Sequence, residues 1–301
     1  MPPPTPVPPQ LLADADPQIQ RLAFGPATRS QQWLITRNLS ATFSLFGLRG
    51  QQSRAAQPLD GEPLSWTPEG ALLLFTSPGA PDRVWALEPT TGITTTVLTT
   101  TFGPIGGLAW LDTAIIYAVA EADGLALVAM DERSASQVVA RLPERRLIDG
   151  GLLAGPDQRS AALLVVGTVT PTVELYYFDN TTRQLSLIDT HAANLEGAAA
   201  AQAVWSLQGD LAYSLGNGLR RYSQTTNRIS AAGFPGAPYD WLGGGVLARG
   251  SAEGALVRWR DDGIQPFDTG SGPLIASDAQ AIGRNEAVLL IGQQIWRVTI
   301  P

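Results

Sequence analysis

A segment of one layout recurs about every 42 residues along this chain, and its clearest copy lies between Trp66 and Leu98. That copy reads Trp66-Thr67-Pro68-Glu69-Gly70, then Ala71-Leu72-Leu73-Leu74-Phe75, then Arg83-Val84-Trp85-Ala86-Leu87, then Glu88-Pro89-Thr90-Thr91-Gly92 and a last apolar run. Short apolar runs alternate with turn residues. The residue closing each first run is Phe24, Trp66, Trp110, Ala154, Trp205, Trp241 or Ile282, at intervals of 42, 44, 44, 51, 36 and 41. The runs are rich in Val, Ile, Leu and aromatics and are bounded by Gly, Pro, Asp and Asn, which reads as strands and not helices. One stretch, 195–204 with its run Ala198-Ala199-Ala200-Ala201, suits a helical turn; it falls in the longest interval.

Strand quartets repeating with a period in the forties predict an all-β chain, a seven-bladed β-propeller of four-stranded antiparallel blades. The seventh quartet runs out of chain at Pro301 after its third strand. An unclosed ring would leave strand edges open. The N-terminal piece Gln10-Leu11-Leu12-Ala13 is therefore expected to supply the missing strand; the alternative is a three-stranded last blade with an open seam. Residues 1–9, almost all Pro and Thr, read as an extended linker or tether, and 10–301 as one propeller domain.

The turns carry the same repetition. First-to-second connections read Thr67-Pro68-Glu69-Gly70, Gly155-Pro156-Asp157-Gln158 and Ser206-Leu207-Gln208-Gly209. Third-to-fourth connections place Thr-Thr before Gly92, Arg183 and Asn227, as copies of one turn would. With the Trp66–Gly70 turn close to Trp/Phe-Ser-Pro-Asp-Gly, and the Leu87–Gly92 ending, the chain resembles the WD40-like propellers of bacterial TolB-type and quinoprotein-type repeat proteins. The resemblance spans nearly the whole chain but is close only in the second quartet. It implies an architecture and a tendency toward binding, because propellers host many functions.

Composition removes several chemistries. Net charge is −7 and all 20 basic residues are Arg, which argues against a nucleic-acid face. There is no Cys, so disulfides, thiolate metal sites and Cys nucleophiles are excluded. The single histidine, His191, read as part of a long loop between the fourth and fifth quartets, cannot build a His-ligated metal centre. No Gly-x-Ser-x-Gly elbow is present, and no apolar run of about 18 residues could cross a membrane as a helix. Gly243-Gly244-Gly245 and Gly216-Asn217-Gly218 read as hairpin turns and not phosphate cradles, since no helix follows. Trp66, Trp110, Trp205 and Trp241 recur at one position and are expected to pack in cores. Asn38-Leu39-Ser40 and Asn180-Thr181-Thr182 match the glycosylation triplet, a pattern common by chance.

The carboxylates carry the functional expectation. Fourth-to-first and second-to-third connections hold Asp60, Glu62, Asp82, Glu121, Asp123, Glu144, Asp149, Asp189, Glu196, Asp240, Glu253, Asp268 and Asp278, against Arg83, Arg145, Arg146 and Arg249. A one-signed mouth would favour a cation or a basic partner, and oxygen ligands suit Ca²⁺. The expected ligand-binding residues are Asp149, Asp240 and Asp278 in or beside first strands, Tyr239 as an exposed aromatic, and Arg145 and Arg146 in the densest charge run. No catalytic residue, resident metal or cofactor is assigned. The leading expectation is a non-catalytic, monomeric binding module, taking a protein or small ligand at its loop face, with an extracytoplasmic site favoured by the Pro-rich leader. The alternative is a hydrolase or lyase using the mouth carboxylates, with Ca²⁺.

Overall fold

The computed structural model describes residues 10–14, 19–24, 32–38, 43–49, 52–53, 57–193, 200–250, 254–267, 273–282, 285–292 and 294–299. Among them there is no helix, and so none long and apolar enough to cross a membrane. The strands form seven antiparallel sheets, the sheets of a β-propeller. The chain divides into two compact units, residues 61–233 and the remainder.

In the remainder, β1 (Gln10–Asp14) stands apart from the sheet that follows it, β2 (Ile19–Phe24), β3 (Gln32–Asn38) and β4 (Phe43–Arg49), with β5 (Gln52–Ser53) and β6 (Gln57–Leu59) both on β4. The unit 61–233 holds four sheets in chain order. They are β7 (Glu62–Trp66), β8 (Leu73–Ser77), β9 (Ala80–Leu87) and β10 (Thr94–Thr99); then β11 (Ile105–Trp110), β12 (Ala114–Glu121), β13 (Gly124–Asp131) and β14 (Ser136–Pro143). Next come β15 (Arg145–Ala154), β16 (Ser160–Gly167), β17 (Thr172–Asp179) and β18 (Gln184–Ala192), then β19 (Gln202–Trp205), β20 (Asp210–Ser214), β21 (Leu219–Ser223) and β22 (Arg228–Ala231). The other unit resumes with β23 (Ala237–Leu242), β24 (Gly245–Arg249), β25 (Leu256–Arg260) and β26 (Gly263–Pro266), and ends with β27 (Asp278–Ala281), β28 (Glu286–Ile291) and β29 (Gln294–Thr299).

The last sheet is completed by the start of the chain. β1 pairs antiparallel with β29, Gln10 opposite Arg297 and Asp14 opposite Gln294, as the strand deficit required. In the same unit β2 lies against β27, so first and last sheets are neighbours. The helical turn expected over 195–204 lies mostly outside the described residues, and Gln202 to Trp205 is strand β19.

Second strands explain why the sheets stack. β16 is buried along its whole length. Its alternate residues Ala161, Leu163 and Val165 enter the core shared with β12, while Ala162, Leu164 and Val166 enter the core shared with β20. β12 does the same, sending Ile116 and Ala118 one way and Ile115, Tyr117 and Val119 the other. A period-two strand that is apolar at every position needs a partner on both faces. Outer strands differ: β22 and β26 are exposed at every residue. Three outer strands carry one unpaired residue, Val97, Val139 or Ile188, where the register slips, and the register of β1 shifts between Leu11 and Ala13. This β-bulge turns Val97, Val139 and Ile188 inward onto the cores.

The turns are copies, as read. Gly92, Arg183 and Asn227 all sit in the left-handed region, at φ 75°, 57° and 51°, and so do Gly70, Gln158 and Gly209 at the other connection. Asp157, Asp179 and Ser206 cap these turns by accepting backbone N–H groups two to four residues ahead. Arg183 is exposed and pays the Cβ penalty of a left-handed conformation, about 1–2 kcal/mol. Arg183→Gly is expected to raise unfolding free energy by about 0.5–1 kcal/mol once glycine's extra entropy is counted, read from denaturant midpoints.

Candidate functional site

Antiparallel pairing puts the starts of first and third strands and the ends of second and fourth strands at one end of each sheet. In the unit 61–233 that end carries three ionic clusters. Arg145 opens β15, opposite Gly167, and reaches Glu174 on β17. Its Nε and Nη2 each donate to a Glu174 carboxylate oxygen at 2.8 Å. Tyr176 Oη donates to the same carboxylate at 2.9 Å and Thr172 Oγ1 at 3.3 Å. Glu174 is buried. Burial alone would push its pKa up, but the bonds from Arg145, Tyr176 and Thr172 and the guanidinium charge outweigh that and hold it below the usual carboxylate range. Arg145 is correspondingly raised by its bond to Glu174, and burial followed by Glu174 pushes Tyr176 up to about 12.

The second cluster joins neighbouring sheets. Asp189 on outer strand β18 accepts from Tyr213 Oη on β20 at 2.8 Å and from Arg220 on β21. Burial, then the bond to Asp189, raises the Tyr213 pKa. Burial opposes the Arg220 charge, yet Asp189 more than compensates and raises its pKa. The third pairs Glu121, ending β12, with Arg141 on β14 at 3.2 Å. The acidic mouth read from the sequence is thus partly neutralised by arginines on the strands, which a comparison of loops alone omits. Glu196, Glu253 and Asp268 lie outside the described residues.

Of the six expected ligand-binding residues, Arg145, Arg146 and Asp149 belong to the unit 61–233, and Tyr239, Asp240 and Asp278 to the other. Arg146 and Asp149 are exposed on β15, where pairing with β16 lapses between Leu147 and Leu152 and Gly150 takes φ 68°. Arg145 is engaged with Glu174. Tyr239 is a correction: it is buried, because the register slip between Pro238 and Asp240 turns its ring into the core with Leu242 and Leu289. Its Oη donates to Ala276 O at 3.0 Å and Ser277 O at 3.3 Å, and burial, helped by Asp278, pushes its pKa up to about 12. Asp278 is also buried and accepts from Ala279 N at 2.8 Å. Asp240 accepts from Trp241 N at 2.7 Å and from Ala281 N on β27 at 2.9 Å, bridging two first strands. The residue is half-buried but its carboxyl is enclosed, and desolvation outweighs those bonds and pushes its pKa up to about 6. Among the described residues no three His, Asp or Glu side chains converge as a metal site.

Other expectations are altered or met. His191 is not in a loop: it lies on β18 opposite Val173, half-buried. Trp110 and Trp205 pack at the edges of cores, Trp205 also donating Nε1 to Leu153 O at 3.4 Å on the preceding sheet. Asn180 is buried and donates to Thr113 Oγ1 at 3.0 Å, which leaves its glycosylation triplet inaccessible in the folded chain. Phe102, in the connection into β11, and Val169, in the β16–β17 hairpin, are apolar residues exposed at the ionic end, Val169 at 70%. Sequence reading passed over both, since single loop hydrophobes carry no pattern.

The architecture defines a β-propeller, and comparison with solved structures agrees. A chain from the study of two prolyl endopeptidases matches with TM-score 0.60 and 16% identity over 91% of this chain and 45% of that one. A chain of the mitotic checkpoint complex matches with TM-score 0.59 and 11% identity, over 99% and 96%. A chain of Kuenenia stuttgartiensis hydrazine synthase matches with TM-score 0.60 and 9% identity, over 96% and 97%. This chain therefore spans less than half the length of the peptidase chain. No protein-family model and no curated protein matches the sequence.

Two outcomes test this geometry. Glu174→Ala removes the acceptor of a charged, mostly buried network and is expected to cost about 2–3 kcal/mol, discounted from a fully buried pair because Arg145 retains some water. That loss should shrink as pH falls below the ordinary carboxylate range, since a depressed pKa stabilises only the ionised fold. Asp240 works in the opposite sense. Its raised pKa favours the protonated fold, so its contribution is present below about pH 4 and lost as pH rises through about 6. Across that window the melting temperature of Asp240→Asn should rise relative to the unmodified protein.

Proposed function

We propose that this β-propeller is a non-catalytic recognition module, binding a protein or small ligand at the ionic end of the sheets in residues 61–233. The observation that carries this reading is the pairing of its charges. Glu174 holds four donated hydrogen bonds and Asp189 is held by Tyr213 and Arg220. Carboxylates satisfied in this way make a stiff frame and poor acids or bases. Around that frame Arg146, Asp149, Phe102 and Val169 are exposed, a mixture of charge and apolar surface suited to a partner. Binding by other propellers, such as the mitotic checkpoint chain, is consistent with this use.

One observation favours the alternative, a hydrolase or lyase: Asp240, an enclosed carboxyl with pKa about 6 on a first strand, has the character of a general acid. The two readings separate in one set of measurements. Purified protein is expected to show no turnover of peptide, ester or uronide substrates. Affinity capture from cells of the source organism is expected to enrich one partner that is lost with Phe102→Ser, Arg146→Glu and Val169→Ser together, at unchanged melting temperature. Turnover abolished by Asp240→Asn, or a partner indifferent to the triple variant, would overturn the recognition reading.

A further inference from the structure

We propose that Asn217 is a site of spontaneous modification, converting to aspartyl and isoaspartyl residues without an enzyme. Asn217 sits in the hairpin from β20 to β21, within Leu215-Gly216-Asn217-Gly218. It is exposed and flanked by glycines at φ 90° and 129°. Ser214 Oγ accepts from Gly216 N at 3.2 Å and anchors only the entry to the turn. Among the described residues neither the Asn217 carboxamide nor the Gly218 N–H has a hydrogen-bond partner.

That arrangement supplies what the chemistry requires. The Gly218 backbone nitrogen, losing its proton to base, forms a bond to the Asn217 side-chain carbon, and ammonia leaves. The resulting five-membered imide is opened by water at either carbonyl. Attack at one returns an aspartyl residue; attack at the other routes the main chain through the side-chain carbon as isoaspartate. One water is consumed, one ammonia released, and nothing is oxidised or reduced. Glycine at the following position matters because closing the ring needs a backbone rotation that a Cβ obstructs. A nitrogen not engaged in a hydrogen bond is also free to become the nucleophile.

The remaining asparagines lack these conditions. Asn38 and Asn194 precede Leu, Asn180 precedes Thr, Asn227 precedes Arg and Asn285 precedes Glu. Asn180 is buried with its amide donating to Thr113, and the Asn227 side-chain oxygen accepts from Tyr222 Oη at 3.0 Å. The new carboxylate would arise three residues before Arg220, at the ionic end of the sheets. Repeated ageing therefore makes that end more acidic with time. The inference rests on the hairpin alone and stands whatever the protein binds.

The test is to hold the purified full chain in mildly alkaline buffer at physiological temperature and map conversion by tandem mass spectrometry, with isoaspartate labelled by its carboxyl methyltransferase. Asn217 should convert first, severalfold faster than any other asparagine. Asn217→Gln, whose longer side chain closes a five-membered ring poorly, should form no acidic species over the same interval. Asn217→Asp should co-migrate with the aged species on a native charge separation. An intact Asn217 while other asparagines convert, acidic species forming equally in Asn217→Gln, or no conversion at all would each overturn the proposal. Mass mapping of the unmodified protein decides this even if a variant disturbs the hairpin.

Discussion

The structure depends on strands that are apolar on both faces. Ile115 to Val119 and Ala161 to Val166 have no polar side to present to water, so each sheet must be covered twice. Every fully buried Leu, Ile or Val contributes about 1.5–3 kcal/mol only while that double cover persists. Neighbouring sheets are therefore mutually required, and no single quartet has a reason to fold alone. The same demand accounts for β1 joining β29, which gives the last sheet an outer strand from the start of the chain.

Polar organisation follows from that stacking. Where sheets meet at the ionic end, Asp189 faces a tyrosine and an arginine of the next sheet, and Glu174 gathers Arg145, Tyr176 and Thr172. These groups are too deep to remain unpaired, because a buried carboxylate without donors is costly. At the opposite end, turn carboxylates and hydroxyls bond their own backbone, as Asp157 and Ser206 do. That end too is joined across sheets, by Asn180 donating to Thr113 and Arg159 pairing with Asp112, alongside these local caps.

Much of the fold could be read from residue order because its signals are local. A left-handed turn position shows as Gly92, or as Asn227 and Arg183 after the same Thr-Thr pair, and a missing strand shows as a count. The functional end was less legible for a physical reason. Arg220 and Arg141 neutralise carboxylates from other strands, and only register brings them together. Tyr239 reads as exposed beside Asp240, yet one extra residue in β23 reverses its side. His191 reads as loop because the bulge at Ile188 breaks the alternation of β18, although the strand continues beyond it. Slips of one residue are invisible to a periodic reading and decide which side chains meet.

Those same slips have a consequence for how the molecules behave in a crowd. Val97, Val139 and Ile188 interrupt the outermost strands, so the free amide and carbonyl groups along these rims are never evenly spaced for long. A stray chain seeking to zip alongside would lose its match partway. The irregular rim is thus a defence against fibre growth, supplied by aliphatic side chains that anchor inward and needing no charge at all.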